Sequence, residues 1–306
     1  MMKKIRPVFF IPLALFFVFI ILFLNLKIGE LERIKKGLFS SKDSKEVTIL
    51  LTGDIMLGRS VMTRSNLVRD FRYPFLKVSD ILRLADIVFA NLESPLISGC
   101  PMTNEGLKFC ADPKMVEGLV FAGVDVVSLA NNHTNNYGQK GFDEMVNILS
   151  QNGIKSVGMD NFVVQEIGGK KFGFLGFDFT LHKPTDSDLK LVSDSDRKVD
   201  VLIVGVHWGE EYKSTANSLQ QSAAKQIIAA GADIVVGHHP HWVQNTEHIN
   251  GKPIYYSLGN FVFDQMWSEE TKKGLMMKLT FKDGVLVKEE KLPVYISSLG
   301  QPEFLK

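Results

Sequence analysis

The sequence predicts an α/β protein with buried, largely parallel strands, and three observations carry that prediction. Five apolar runs, Val47–Leu51, Ile87–Ala90, Val126–Ala130, Val201–Val206 and Ile234–Val236, are continuous rather than alternating, as strands covered on both faces are. Segments of helical spacing separate several of them, which makes neighbouring strands parallel and gathers their C-terminal ends on one edge. Each run also ends in polar or ionisable residues: Thr52-Gly53-Asp54, Asn91-Leu92-Glu93, Asn131-Asn132-His133, His207-Trp208-Gly209-Glu210-Glu211 and the group around His239. Ligands of open α/β sheets bind outside such an edge.

In chain order, Lys3, Lys4 and Arg6 precede an uncharged stretch from Pro7 to Leu26. Twenty helical residues rise about 30 Å, the thickness of a bilayer's hydrocarbon core. Residues 1–26 therefore read as a single membrane anchor, with the basic N-terminus in the cytoplasm and the rest of the chain outside. A cleavable signal peptide is the competing reading. Against it, the apolar part exceeds a usual signal core, and Asn25-Leu26-Lys27-Ile28 offers no small-x-small site. Residues 27–46 read as a stalk ending in the polar run S-S-K-D-S-K-E. Residues 47–306 suffice for one large α/β domain.

Within that domain, Asp112-Pro113 reads as a helix N-cap with proline at the first helical position, and Gly123 suits the helix end. Phe142, Met145, Val146 and Leu149 give a second helix its apolar face, and Ser218 to Ala230 forms a third, closed by Gly231. Gln165 to Phe172 reads as a hairpin around Gly168-Gly169, and Phe281 to Leu286 as another. Hairpins added to parallel strands make the sheet system mixed, consistent with two packed sheets.

The chemistry concentrates in G-A-D-I-V-V-G-H-H-P-H-W, Gly231 to Trp242, where three imidazoles fall within four residues. Neutral imidazole is a common metal ligand, and the intervening proline restricts the backbone of His239 and His241. Asp54, Glu93, Asn132, His133 and His207 are expected at the same edge. The set is O- and N-donor without thiolate, which suits one or two divalent ions, Mn, Fe or Zn, in a hydrolytic site. Each residue alone has a structural alternative: Asp54 as a turn or cap residue, Glu93 as a surface carboxylate, Asn131-Asn132 as a left-handed turn. Joint placement favours a site. Glu211, Ser257 and Asn260 are expected to touch substrate or brace a ligand, with a plain strand-to-turn exit the alternative for each.

The runs T-G-D-I-M-L-G-R, N-L-E-S-P, S-L-A-N-N-H-T-N-N-Y-G, V-H-W-G-E-E-Y, G-A-D-I-V-V-G-H-H-P-H and I-Y-Y-S-L-G-N-F-V-F-D, in order from Val47 to Asp264, resemble the bacterial CapA/PgsA capsule-synthesis family. That family is associated with poly-gamma-glutamate production and related to the calcineurin-like metallophosphoesterases. The resemblance implies a four-layer αββα sandwich of the metallophosphoesterase type, here preceded by one transmembrane helix. It implies that Asp54 and His241 bind one ion, that Asn132, His207 and His239 bind a second, and that Glu93 bridges. His133 becomes the leaving-group acid or a transition-state donor. An anionic polymer such as poly-gamma-glutamate is the implied partner, with capsule synthase subunits beside it. Two departures stand out. Metallophosphoesterases usually begin with Asp-x-His, but the third position here is Met56, and Asn136 stands where an Asp is common. His238 occupies a variable position and is left out of the ligand set.

A net charge of +1 gives no electrostatic reason to expect nucleic acid. Cys100 and Cys110, the only cysteines, bracket a loop, and an extracytoplasmic location permits a disulfide between them. Three functions follow: a membrane-anchored metal-dependent hydrolase, a capsule-assembly accessory protein that keeps the metal frame without turnover, and a polymer-binding module with structural histidines. The third is weakest, since buried ligands without an ion would go unpaired.

Overall fold

Fourteen strands in two sheets organise residues 46–305, which a computed structural model describes. The first sheet begins with β1 (Glu46–Ile55), β2 (Ile87–Leu92), β3 (Val126–Ser128) and β4 (Lys155–Val157). The second takes β5 (Val163–Ile167), β6 (Lys170–Asp178), β7 (Val201–His207), β8 (Ile234–His238), β9 (Thr246–Ile249) and β10 (Lys252–Tyr255). The chain then returns to the first sheet through β11 (Asn260–Val262), β12 (Lys273–Lys282), β13 (Val285–Ser298) and β14 (Gln301–Phe304). Strand order is β14-β13-β12-β1-β2-β3-β4, with β11 also pairing β1, and β5-β6-β7-β8-β10-β9. The expected anchor, and the stalk up to residue 45, lie outside the described residues. Among the described residues no helix is long and apolar enough to cross a membrane.

The connections explain the layering. β1 to β4 are parallel and neighbours in sequence order. Right-handed crossovers therefore put their helices on one face: α1 (Arg59–Val68), α2 (Ser79–Leu82), α3 (Val116–Ala122) and α4 (Gly138–Gln151). β6, β7 and β8 are parallel in the same manner, joined by α5 (Asp186–Asp196) and α6 (Ser218–Ala229). The helix signals act where expected. Asp112 accepts the Lys114 N–H in a 3-10 turn that leads into α3, and Gly123 ends α3 at φ 72°. Asn217 and Gln220 form a reciprocal capping box at the start of α6.

Continuous apolar runs result because both faces of each central strand are covered. Ile49, Leu51 and Phe89 from the first sheet pack with Phe172, Phe174, Ile203 and Val236 from the second, and the Phe89 and Phe174 rings stack 5.5 Å apart. Gly205 makes room for this contact: a Cβ there would meet the Phe89 ring at 2.8 Å. On the outer face Leu202, Val204, Val206 and Val235 pack with Val192, Ala223, Ala224 and Ile227 of α5 and α6. Each such large apolar side chain contributes about 1.5–3 kcal/mol on burial.

Register then delivers the polar ends. The β1–β2 pairing shifts between Leu51 and Asp54, which places Asp54 opposite Asn91. On its other side Asp54 stands opposite Asn260, an approach only glycine permits just upstream, since a Cβ on Gly53 would lie 2.1 Å from the Gly259 carbonyl oxygen. In the second sheet Asp178, His207 and His238 align. His238 donates from Nε2 to the Thr52 carbonyl at 3.1 Å, tying the two sheets together at the edge where the candidate residues converge.

Candidate metal centre

Two groups of potential ligands meet at this edge. In the first, Asp54, Glu93 and His207 each offer a ligand atom, all within 4.8 Å of one another, and all three residues are buried. Asn91 organises them: its Nδ2 donates to Asp54 Oδ1 at 2.9 Å and to Glu93 Oε1 at 3.2 Å, and lies 3.3 Å from His207 Nδ1. Asn132 Oδ1 lies 3.1 Å from His207 Nε2. Burial pushes the Glu93 carboxyl well above the usual carboxylate range, and neighbouring Asp54 adds to the push. Burial would also raise Asp54, but its hydrogen bond to His241 and the nearby imidazoles hold it below its ordinary value. Burial, reinforced by His239, keeps His207 well below the ordinary imidazole value and so neutral.

The second group is Glu211, His239 and His241, again within 4.8 Å, but graded from exposed Glu211 through half-buried His239 to buried His241. His239 and His241 both adopt positive φ, 96° and 57°, a strained backbone that non-glycine residues hold chiefly where the surroundings fix it. His241 Nδ1 lies 3.0 Å from Asn260 Oδ1 and 3.2 Å from Asp54 Oδ2. Burial alone would lower His241, but Glu93 and Asp54 outweigh it and hold this imidazole up at about 9. The His239 backbone N–H donates to Asp54 Oδ2 at 3.3 Å, which joins the two groups.

His133 sits at the rim, half-buried. Its Nδ1 lies 3.1 Å from Asn136 Nδ2, so the orienting position holds an amide that cannot stabilise imidazolium as a carboxylate would. Burial, then the His241 and His239 imidazoles and Arg59, lower its pKa to about 4. Phe109 stacks on the His133 ring at 3.9 Å. Phe109 belongs to the loop closed by a disulfide between Cys100 and Cys110. Arg59 also packs over Phe109, its guanidinium 4.6 Å from the ring centroid. It pairs with Asp264 and donates to the Gly106 carbonyl at 2.9 Å, while its buried Nε has no partner among the described residues.

Sequence reasoning passes over three of these residues. Asn91 lies on β2 two positions before Glu93, which stands just beyond the strand's end, and that alternate spacing is the signal that could have found it. Phe109 and Arg59 carry no such signal, because their placement depends on how the disulfide loop folds back. Asn260 contacts His241 from behind, whereas the Ser257 hydroxyl accepts the Gly259 N–H at 3.1 Å and holds a turn. Asn131, beside the expected ligand Asn132, donates to the Leu92 carbonyl at 2.9 Å and accepts the His133 N–H at 3.1 Å, fixing the loop that carries both.

The donor set fits a divalent cation. Glu93 Oε2 is buried without a hydrogen-bond partner among the described residues, and two buried carboxylates side by side are costly unless a positive charge joins them. Imidazoles and carboxylates without thiolate match Mn, Fe or Zn.

The model of a family described as bacterial capsule synthesis protein PGA_cap matches residues 48–265. The chain is 32% identical to "Capsule biosynthesis protein CapA" of Bacillus anthracis over 291 residues, covering 86% of this chain and 70% of that one. It is 29% identical to "PGA biosynthesis protein CapA" of Bacillus subtilis strain 168, covering 92% and 79%. A solved structure of a hypothetical protein from Thermus thermophilus superposes with a TM-score of 0.55 at 19% identity, over 81% of this chain and 98% of that one. A putative 5'-nucleotidase from Staphylococcus aureus, in complex with alpha-ketoglutarate, superposes with a TM-score of 0.51 at 13% identity, over 83% and 55%. The chain belongs to the bacterial capsule synthesis protein PGA_cap family, on a mixed α/β fold that it shares with these two solved structures.

Proposed function

We propose that this chain is a membrane-anchored, extracytoplasmic capsule-synthesis protein of poly-gamma-glutamate biosynthesis or export, with a metal-dependent, phosphoesterase-like hydrolytic site. The observation that carries this reading is the meeting of Asp54, Glu93 and His207 with His239 and His241 at one edge, in a chain of the PGA_cap family. The relatives' names, a capsule biosynthesis and a PGA biosynthesis protein, support a capsule role; poly-gamma-glutamate as the polymer and capsule synthase subunits as neighbours rest on the family resemblance. Lys3, Lys4 and Arg6 before the apolar stretch to Leu26 support a single span with the domain outside, and the disulfide suits an oxidising compartment.

One or two divalent ions, held by Asp54, Glu93, Asn132, His207, His239 and His241, would supply electrophilic charge at the scissile linkage. The chain's own residues prepare that site. Asn91 fixes both carboxylates, Asn260 orients His241, and neutral His207 and His239 need shed no proton to ligate. His133, neutral at pH 7, serves as a hydrogen-bond donor to developing negative charge, with the Arg59 cation nearby to favour an anionic substrate. Met56 in place of the usual imidazole favours a second reading, an assembly protein that binds the polymer without cleaving it.

One experiment tests both. Glu93→Ala and His207→Ala should each abolish polymer production in a deletion strain while the protein remains folded; normal capsule from both would reduce the site to scaffold. Assay of the purified, Mn-, Fe- or Zn-loaded chain on phosphodiesters and on poly-gamma-glutamate then separates the readings, because turnover is expected of the first alone.

A further inference from the structure

The geometry points to Glu211 as the ligand that takes the place of the imidazole missing at position 56, completing a group with His239 and His241. This inference rests on the metal-centre reading above. Met56 cannot fill the role itself. It is fully buried and its sulfur accepts the Gly58 N–H at 3.1 Å; a thioether is moreover a soft donor, poorly matched to Mn. Glu211 lies far from Met56 in sequence, four residues beyond His207, yet its carboxylate converges with both imidazoles of the His-Pro-His loop.

A surface glutamate would reach that position only by chance of rotamer, but this one is carried on a braced loop. The Tyr212 N–H donates to the Pro240 carbonyl at 2.8 Å, pinning the residue after Glu211 to the residue between the two histidines. Tyr212 holds a left-handed backbone, φ 61°, which turns the chain at that point. Its hydroxyl accepts from Gln265 Nε2 at 3.2 Å, Gln265 Oε1 accepts from Asn260 Nδ2 at 3.0 Å, and Asn260 Oδ1 lies 3.0 Å from His241 Nδ1. One chain of hydrogen bonds thus braces both the carboxylate's loop and the imidazole. Ligands that need precise placement are supported from behind in this way. Exchanging a neutral imidazole for a carboxylate also adds one negative charge and hardens the donor set, which shifts preference toward manganese and away from zinc.

Titration calorimetry of the metal-stripped full chain with MnCl2, and separately with ZnCl2, tests this. Glu211→Gln keeps the shape and removes the charge, and should weaken Mn uptake at one site by at least about ten-fold. Glu211→His should restore binding, with zinc favoured over manganese relative to the wild type. Glu210→Gln, the neighbouring carboxylate, should bind as the wild type does. Unchanged Mn affinity in Glu211→Gln overturns the inference while leaving the metal centre standing. Absence of any uptake by the wild type overturns the metal-centre reading, and the inference with it.

Discussion

The two ligand groups of this chain meet at one edge but are built on opposite principles. Asp54, Glu93 and His207 stand at or just beyond the ends of β1, β2 and β7 and are buried. Their positions follow from strand register, and Asn91 locks the carboxylates from within the sheet. Glu211, His239 and His241 sit on loops, graded from exposed Glu211 to buried His241; the two histidines hold left-handed backbone, and a relay of side chains braces the loops. The buried group sets two carboxylates side by side, which a cation relieves. The open group is where ligand identity can change without disturbing the core, whereas the departure from the Asp-x-His pattern lies at buried Met56, two residues beyond Asp54.

Substitution at each group sharpens that contrast. Glu93→Gln removes a buried carboxylate whose Oε2 has no partner among the described residues, so the metal-free chain should become more stable by about 1–3 kcal/mol even as ion uptake is lost. The same exchange at exposed Glu211 should move metal-free stability by no more than about 0.5 kcal/mol. Chemical denaturation in the presence of a chelator measures both. A destabilised Glu93→Gln would mean that the carboxylate is already satisfied within the protein.

Protons compete with metal at the junction of the groups. His241 is held at about 9, so at neutral pH in the metal-free chain it carries a proton it must release to ligate. Its protonated fraction falls as pH rises through that value. Apparent affinity should therefore climb by about ten-fold per unit from pH 7 to about 9 and then level, the slope expected for one displaced proton. Calorimetric titrations across that range read the slope, and a flat profile would place His241 outside the ligand set.

Much of the buried half was legible in the sequence. Val201 to Val206 and Ile234 to Val236 are continuous apolar runs because helices cover one face and the partner sheet the other, and Asp54 and His207 fall where such runs end. The Gly168-Gly169 hairpin and the capped α3 were readable because their turn residues act locally. The long β13 was not. Its Lys288-Glu289-Glu290-Lys291 run carries no apolar alternation, yet it pairs with β12 as part of a largely exposed strand whose backbone hydrogen bonds place it. The open half was legible only as a list of residues. Glu211 read as a substrate or bracing residue because no spacing rule reports how a loop folds back onto His239, and Phe109 was hidden by the same dependence on tertiary contact.

The central claim is that cations join these two groups. Anomalous diffraction from crystals of the chain grown with MnCl2, recorded at the manganese edge, tests it most directly. The account predicts at least one peak within bonding distance of these side chains, and, if two ions bind, one among Asp54, Glu93 and His207 and one among Glu211, His239 and His241. Diffraction showing no anomalous peak within bonding distance of Glu93 or His239 would contradict it.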